Sequence, residues 1–241
     1  MDVSLKPYKK EFAHSYTFGV FPTLELVQQR PEAMLKVLVS EAGLKNLGVA
    51  KLSDLCSQRH IPFEVNTRAV ERLAPKENAY VVGVFRKYDG KLDAGGDHVL
   101  LVNPSDMGNL GTITRTMLGF GVTNLGIVRP AADIFDPRAV RASMGALFHL
   151  HCQYFDDYEA YSAAYANRAL YPFITSGTQA LPNIRFEPPY TLIFGNESAG
   201  LSGPYQEVGK AITIPHSHRI DSLSLPIAVG VALYEATRAK T

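Results

Sequence analysis

The chain has 241 residues, of which 46% are hydrophobic and 20% are charged, and its formal net charge is +1. These values are typical of a globular protein with one large or two small domains, and they exclude an intrinsically disordered chain or a coiled coil. A net charge near zero also argues against a protein that is held on nucleic acid by bulk charge alone.

The first ninety residues alternate between strand-like and helical patterns. Short apolar runs predict strands at Leu35–Val39, Ile61–Val65 and Ala79–Phe85. Apolar residues at helical spacing predict a helix over Asn46–His60. Residues 1–90 are therefore predicted to form a small α/β domain.

A candidate boundary follows at Tyr88–Asp97, where three glycines and three aspartates interrupt every apolar period. We predict a linker over residues 91–97, which separates the domain at 1–90 from a second domain at 98–241. Residues 1–90 carry a net charge of +3 and residues 91–241 one of −2. This asymmetry is slight enough to arise by chance, and it permits a nucleic-acid partner for the N-terminal half without requiring one.

The second domain repeats the alternation of strands and helices. Strands are predicted at His98–Val102, Leu125–Val128, Leu170–Thr175, Tyr190–Phe194 and Ala211–Ile214, and helices at Asn109–Phe120, Tyr158–Arg168 and Ser224–Lys240. This order predicts a mostly parallel sheet with both faces covered. Because such sheets bind ligands at the carboxyl ends of their strands, the loops after Val102, Phe194 and Ile214 are the candidate sites.

Each of the three loops has residues suited to ligand binding. In the first loop, Asn109 is predicted to cap a helix that contains Arg115. In the second, Glu197 lies between two glycines, which allow close approach of the backbone to a ligand. The first loop, which follows a strand and leads into a helix, lacks the G-x-G-x-x-G fingerprint of dinucleotide-binding proteins, and this absence disfavours a nicotinamide oxidoreductase. In the third, Ser222 or Ser224 is predicted to cap the last helix.

Together, these loops resemble the three motifs of the SpoU/TrmH family of RNA ribose 2′-O-methyltransferases in order and spacing. The matching residues are Asn109-x5-Arg115, then Leu192-Ile193-Phe194-Gly195-Asn196-Glu197-x2-Gly200-Leu201, then Ile214-Pro215-x6-Ser222-Leu223. The resemblance covers about residues 98–241. Residues 1–90 are similar to the small α/β RNA-binding domain that often precedes this catalytic domain, a domain that resembles kink-turn-binding ribosomal proteins.

The resemblance implies transfer of a methyl group from S-adenosylmethionine to a ribose 2′-hydroxyl of a structured RNA, either ribosomal or transfer RNA. It also implies a C-terminal trefoil knot, a feature nearly absent from other folds, and a homodimer whose active site is shared between subunits. The family's cofactor contacts fall on five positions of this chain: Gly195, Asn196, Ile214, Leu223 and Ser224. No metal is implied.

The resemblance places catalysis at Arg115, with Asn109 and Glu197 orienting it. The family's proposed role for this arginine is that of a base, although a guanidinium with a pKa above 12 hardly deprotonates. An alternative role is to grip an RNA phosphate and steady the developing alkoxide. Residues 141–146 resemble a further family segment, in which Arg141 contacts RNA or the other subunit, or else is merely solvated.

The third motif departs from the family at two positions. An asparagine usually follows Ser-Leu and a serine stands two positions further on, whereas this chain has Ser224 and Pro226. A serine keeps a hydroxyl but loses the paired donor and acceptor of the amide. The alternative function is therefore an RNA-binding protein that keeps the fold but has weak or no methyltransferase activity.

The remaining features predict a cytoplasmic protein with no metal. Cys56 and Cys152 have no metal-binding spacing and are predicted to be buried free thiols. The His149/His151 and His216/His218 pairs lack a third ligand nearby. The first ten residues contain no apolar core of a secretion signal, and no apolar run reaches the roughly 20 residues that span a bilayer.

Overall fold

The structure is a computed structural model that describes residues 5–74, 79–201 and 203–238. It divides into two compact units. The first unit comprises the chain up to Tyr88 together with Asp133–His149, and the second comprises Asp89–Ala132 together with the chain from Leu150 onward.

Eleven strands and seven helices are seen in the described residues. The strands are β1 (His14–Phe18), β2 (Met34–Val39), β3 (Phe63–Val65), β4 (Val81–Arg86), β5 (His98–Val102), β6 (Asn124–Val128), β7 (His151–Phe155), β8 (Ala169–Pro172), β9 (Gln179–Ala180), β10 (Tyr190–Phe194) and β11 (Ile212–Thr213). The helices are α1 (Val20–Gln29), α2 (Leu47–Gln58), α3 (Thr67–Leu73), α4 (Met107–Gly119), α5 (Pro137–Ala142), α6 (Tyr158–Ala164) and α7 (Leu225–Thr237).

The first unit contains a four-stranded mixed sheet in the order β1-β4-β2-β3. Strand β4 is antiparallel to both β1 and β2, and β2 is parallel to β3. The predicted strands and helix of this region are confirmed, but the sequence did not predict β1, α1 or α3. The alternation of β1 is obscured because its buried residues include Ser15 and Thr17, whose hydroxyls bond to Phe135 O and to the Thr23 hydroxyl.

Residues 133–149 pack in the first unit, although the sequence-based division at 91–97 places them in the second domain. Lys87 Nζ lies 2.6 Å from a carboxylate oxygen of Asp133. The ring of Phe85 makes edge-on contacts with Phe135 and Phe148, at centroid distances of 6.0 and 5.6 Å. The predicted boundary is therefore incomplete, because these contacts join residues far apart in sequence.

The second unit is built on a five-stranded sheet in the order β7-β6-β5-β10-β8, in which every neighbouring pair is parallel. This confirms the predicted parallel α/β architecture. The predicted linker at 91–97 is instead packed onto this unit: Leu92 is buried, and Arg168 donates hydrogen bonds to the carbonyl oxygens of Ala94 and Gly96.

The predicted strand at Ala211–Ile214 forms only in part. Its central residues are β11, which pairs with β9 in a separate two-stranded sheet rather than joining the main sheet. Backbone hydrogen bonding nevertheless links it to the chain that follows β8, because Ile174 N–H donates to Ile212 O at 2.9 Å. The loop after β11 therefore lies beside the chain that leaves the main sheet. No helix within the described ranges is long and apolar enough to cross a membrane.

Candidate active site

The loops after β5 and β10 are joined by one carboxylate. These two strands are neighbours in the parallel sheet, so their carboxyl ends lie side by side. Glu197 accepts hydrogen bonds from the backbone N–H groups of Ser105 (3.1 Å) and Asp106 (3.2 Å). It also accepts from the Ser105 hydroxyl at 2.9 Å and from the side-chain amide of Asn109 at 3.2 Å. Two predicted site residues, Glu197 and Asn109, are therefore in direct contact.

The environment of Glu197 favours its charged form. Partial burial acts to raise the pKa of this carboxyl group, but hydrogen bonds outweigh that effect. The donors are the backbone of Glu197 and Ser105 and the side chains of Asn109 and Ser105. The net result is a pKa below the ordinary value, because these donors stabilise the carboxylate more than the carboxylic acid.

The predicted helix cap in the first loop is wrong by three residues. Helix α4 begins at Met107, and Asp106 caps it by accepting a hydrogen bond from the Asn109 backbone at 2.7 Å. Asn109 therefore lies inside the first turn. Its side chain does not cap the helix and is available to donate to Glu197.

A tight turn shapes the second loop. Asn196 donates from Nδ2 to Asn103 O at 2.8 Å, and its Oδ1 accepts from the backbone N–H groups of Ser198 and Ala199. A Cβ atom on Gly195 would collide with the backbone of Gly200. Gly200 itself has φ +66°, which side-chain-bearing residues rarely adopt. Both glycines are therefore required for the loop to fold back on itself.

A pocket of about 450 Å³, here called the loop pocket, opens beside this turn and lies wholly within the second unit. This volume is within the usual range for small-molecule sites. Its walls come from residues 173–176, 194–201, 212–214, 216, 221–223, 225 and 228. Four of the five predicted cofactor residues line it: Gly195, Asn196, Ile214 and Leu223. The fifth, Ser224, lies between two lining residues.

The loop pocket combines one aromatic wall with polar and negatively charged side chains. The rings of Phe173 and Phe194 stack at a centroid distance of 4.6 Å on one side. Glu197 and Asp221 supply carboxylates, whereas no lysine or arginine occurs among the described lining residues. Such a lining suits an uncharged or cationic ligand with an apolar body and disfavours a ligand that bears phosphates.

His216 is a pocket residue to which the sequence assigned no function. Its Nδ1 lies 2.7 Å from Ile214 O. Because a carbonyl oxygen only accepts, Nδ1 carries the proton of the neutral ring and Nε2 is left as an acceptor. The signal available in the sequence was its position two residues after Ile214, within the third motif. No group of three or more potential metal ligands occurs in the described part of the chain.

Arg115 is the predicted site residue that the structure does not join to the others. It is exposed on α4 and is not among the lining residues of the loop pocket. Six residues at about 100° each place it about 120° around the helix from Asn109. Within the described residues, Arg115 therefore has no contact with Asn109 or Glu197 that would orient it.

The third loop leads into α7. Ser224 occupies the N-cap position, but its side chain makes no capping hydrogen bond. Pro226 falls in the first turn, as predicted, where the absence of a backbone N–H breaks no hydrogen bond of the helix.

Comparison with known proteins identifies relatives that are named as RNA methyltransferases. An uncharacterized tRNA/rRNA methyltransferase of Synechocystis is 35% identical over 143 residues, covering 58% of this chain and 52% of the relative. The 23S rRNA (uridine(2479)-2′-O)-methyltransferase of Streptomyces viridochromogenes is 33% identical over 148 residues, with the same shares covered. The matches thus span about half the length of these two relatives. The AdoMet-bound rRNA methyltransferase of Sinorhizobium meliloti superposes with a TM-score of 0.80 at 26% identity, covering 95% of this chain and 88% of that one.

A family model also matches the chain, over a span that includes most of the second unit and residues 133–149 of the first. Residues 97–234, more than half of the chain, match the family described as SpoU rRNA Methylase. That span contains all three motif loops. The chain belongs to the SpoU rRNA methylase family.

Proposed function

We propose that this protein transfers a methyl group from S-adenosylmethionine to a ribose 2′-hydroxyl of ribosomal or transfer RNA. The observation that carries this proposal is the loop pocket, in which the second and third motif loops meet around two stacked phenylalanine rings and two carboxylates, while Glu197 holds the first motif loop against the second. The names of the relatives support the same reaction, since the Streptomyces viridochromogenes protein is named as a 2′-O-methyltransferase of 23S rRNA.

The loop pocket fits the proposed cofactor. Its stacked phenylalanine rings suit an adenine ring, and the negative charges of Glu197 and Asp221 suit the positive charges of a sulfonium and an ammonium group. The five positions proposed to hold the cofactor are Gly195, Asn196, Ile214, Leu223 and Ser224, largely through backbone groups. When bound, S-adenosylmethionine supplies an electrophilic methyl group on a good leaving group. The protein must then align the ribose oxygen with that methyl group.

Arg115 is proposed to act on the RNA. As an exposed guanidinium, it is suited to grip a phosphate and stabilise negative charge that develops on the ribose oxygen. Its second proposed role is that of the base that removes the ribose proton. Asn109 and Glu197 are proposed to orient this part of the site, and their direct contact fixes the start of α4 against the second loop.

A second candidate function is an RNA-binding protein with weak or no methyltransferase activity. Ser224 and Pro226 favour it, because neither supplies the polar groups that the family pattern has at these positions. Calorimetry with S-adenosylmethionine separates the two functions. Absence of binding at millimolar cofactor would reject the enzyme, whereas binding without methyl transfer to any cellular RNA would select the second candidate.

The two units are proposed to divide the work, with the first choosing the RNA and the second performing the transfer. The first unit has 15 Lys and Arg against 11 Asp and Glu, and the second has 9 against 12. The positive balance of the first unit favours contact with the phosphate backbone. The loop pocket lies entirely in the second unit.

We further propose a C-terminal trefoil knot and a homodimer with a shared active site, as the family resemblance implies. Helix α7 supports the dimer, because Ile227, Val231 and Tyr234 are exposed on it at 56%, 38% and 58%. Their spacing of four and three residues places them on one face, which a second copy of the chain would cover.

We also propose a cytoplasmic location, which the two buried free cysteines favour.

The decisive experiment supplies methyl-tritiated S-adenosylmethionine and RNA from cells that lack the protein. Ribosomal and transfer RNA are tested separately, and the labelled nucleoside is identified after complete digestion. The expected product is a 2′-O-methylated nucleoside at one position of one RNA. Label on a base rather than a ribose would contradict the proposal.

A further inference from the structure

The third motif loop brings one titratable side chain to the wall of the loop pocket. Residues 215–220 lie in the stretch between β11 and α7, and within that range only His216 lines the pocket. The imidazole is half-buried, whereas the residues on either side of it, Pro215 and Ser217, are exposed. His216 is therefore placed to contact what the pocket holds.

One hydrogen bond fixes the proton of this imidazole. Nδ1 lies 2.7 Å from the Ile214 carbonyl oxygen, which can only accept, so the neutral ring carries its proton on Nδ1. Nε2 keeps a lone pair, and it has no hydrogen-bond partner in the part of the chain that the structure describes. The ring is thus oriented to accept a proton at Nε2 before any ligand arrives.

No other described group in the pocket wall accepts a proton as well at neutral pH. The other ionisable side chains among the described lining residues are those of Glu197 and Asp221, and carboxylates are weak bases at pH 7. Glu197 is weaker still, because burial acts to raise its pKa but its hydrogen bonds outweigh burial and leave the pKa below the ordinary value. His216 is therefore the strongest base of the described pocket wall.

The charge of the pocket wall suits a protonated histidine. Glu197 and Asp221 are both negative, and the described lining residues include no lysine or arginine. An imidazolium that forms at His216 is therefore surrounded by opposite rather than like charge, which stabilises it.

Methylation of a ribose hydroxyl releases one proton. The 2′-oxygen forms a bond to the methyl carbon, and the bond from that carbon to sulfur breaks with its electron pair, so the positive charge on sulfur is neutralised. That charge passes to the ribose oxygen unless the hydroxyl proton leaves. Arg115 would have to lose its own proton before it could accept this one, and it does not line the loop pocket.

We propose that His216 accepts the proton of the ribose 2′-hydroxyl through Nε2 as the oxygen attacks the methyl group. The products are a 2′-O-methyl ribose, a neutral thioether and an imidazolium, which later returns its proton to water. This inference rests on the proposed function for its reaction. It makes His216 a catalytic residue, and it leaves Arg115 with the RNA phosphate alone.

The first experiment reads the tautomer of His216 without any reaction. In protein that contains isotope-labelled histidine, magnetic resonance couplings between ring nitrogens and ring protons distinguish Nδ1–H from Nε2–H, and His216→Asn identifies the signal. At pH 8, His216 is expected in the Nδ1–H form, whereas the exposed His218 should show a mixture of both forms. A proton on Nε2 of His216 would overturn the proposal.

The second experiment measures methyl transfer by His216→Asn and His218→Asn between pH 5.5 and 8.5, at saturating cofactor. The amide of Asn takes the place of Nδ1 and can still donate to Ile214 O, but Asn has no group at the position of Nε2. His218 is the matched control, since it lies two residues further on, is exposed and is not a lining residue of the pocket. Calorimetry with S-adenosylmethionine measures the cofactor affinity of each variant.

At pH 8, His216→Asn should lower kcat by at least about a hundredfold, the smaller contribution of a general base. The unaltered protein and His218→Asn should lose activity as pH falls through about 6.5, where histidines ordinarily gain a proton. The residual activity of His216→Asn should lack this dependence, and free imidazole should restore part of the rate to His216→Ala. Near-normal transfer by His216→Asn would show that the contact with Ile214 is the whole role of His216.

The same measurements separate this inference from the proposed function. If the unaltered protein methylates RNA and His216→Asn does so with the same rate and pH profile, the inference about His216 fails and the proposed function stands. If the unaltered protein transfers no methyl group to any RNA, the proposed function fails and the inference about His216 is rejected with it.

Discussion

Glu197 shows how one side chain can organise two loops. Its carboxylate accepts hydrogen bonds from the Ser105 backbone and hydroxyl, from the Asp106 backbone and from the Asn109 amide. All these partners donate, so only a group with acceptors in every direction satisfies them. The sequence placed Glu197 between glycines at the end of a strand, but it could not show which residues the carboxylate would meet.

Glu197→Gln should lower the free energy of unfolding by about 1–2 kcal/mol, because the new NH2 group faces donors and leaves some of them unpaired. Chemical denaturation at pH 7 measures this loss. The lowered pKa of Glu197 sets the sign of its pH dependence: its contribution is present above the ordinary carboxyl pKa and is lost as pH falls through its own lower value. The difference between the two proteins should therefore shrink below about pH 4, and a constant difference would contradict this account.

Arg115→Ala should bind S-adenosylmethionine normally and lose methyl transfer by at least about a hundredfold. The cofactor affinity should persist because Arg115 does not line the loop pocket. Arg115→Lys is the matched control. If Arg115 binds an RNA phosphate, the lysine keeps the positive charge, and the variant should retain measurable activity. If Arg115 is instead the base, lysine should restore activity mainly at raised pH. Near-normal transfer by the alanine variant would make Arg115 an ordinary solvated side chain.

At the scale of elements, the sequence predicted correctly those strands that consist of continuous apolar runs. Strands β5, β6 and β10 are buried at every residue and were predicted within one residue of their observed bounds. Strand β1 was missed because its buried residues include Ser15 and Thr17, whose hydroxyls have hydrogen-bond partners far away in sequence, at Phe135 O and Gly83 N–H. The cap of α4 was misplaced because Asp106 and Asn109 are both good capping residues, and only the position of Glu197 shows which of them caps.

The start of β5 contains a buried histidine that makes stability depend on pH. His98 is fully buried, with Nε2 at 2.8 Å from Asp93 O and Nδ1 at 3.0 Å from the Tyr161 hydroxyl. Burial lowers the pKa of His98 from 6.5 to about 4, partly offset by the hydrogen bond to Asp93. The unfolded chain therefore binds a proton on this residue at a higher pH than the folded chain does.

The free energy of unfolding should thus fall by about 1.4 kcal/mol per pH unit as pH drops from about 6.5 toward 4, through this residue alone. His98→Gln keeps a donor for Asp93 and an acceptor for Tyr161 but does not titrate. The slope of stability against pH should be shallower in this variant by that amount, as measured by denaturant titrations between pH 4 and 7. Equal slopes in the two proteins would show that His98 does not carry the effect.

At the scale of the whole molecule, the exposed face of α7 is where the proposed dimer can be tested. Val231→Asp places a charge between the exposed side chains of Ile227 and Tyr234 on one face of α7. This variant should convert a dimer to a monomer in sedimentation experiments. Leu47→Asp is the control, since Leu47 is 89% exposed and lies in the first turn of α2, where an acidic residue is tolerated. A monomeric unaltered protein, or a dimeric Val231→Asp variant, would reject α7 as the interface.

The arrangement of the two units also limits what can be cut from the chain. The composition of residues 91–97 suggested a boundary, and the sequence alone could not show that residues 133–149 return to the first unit. Those residues bury Phe135, Val140 and Phe148, and the rings of Phe135 and Phe148 pack against Phe85. A fragment that begins at Asp89, the first residue of the second unit, keeps residues 133–149 but loses Phe85.

Such a fragment should expose these side chains and aggregate, because each fully buried ring contributes about 1.5–3 kcal/mol that the fragment cannot recover. Light scattering and binding of a hydrophobic dye should both rise several-fold above those of the full chain. The same fragment with Phe135→Ser and Phe148→Ser should show less of both, and it should bind S-adenosylmethionine, since the loop pocket lies within the second unit. A monodisperse fragment with unaltered phenylalanines would mean that residues 133–149 pack equally well without the rest of the first unit.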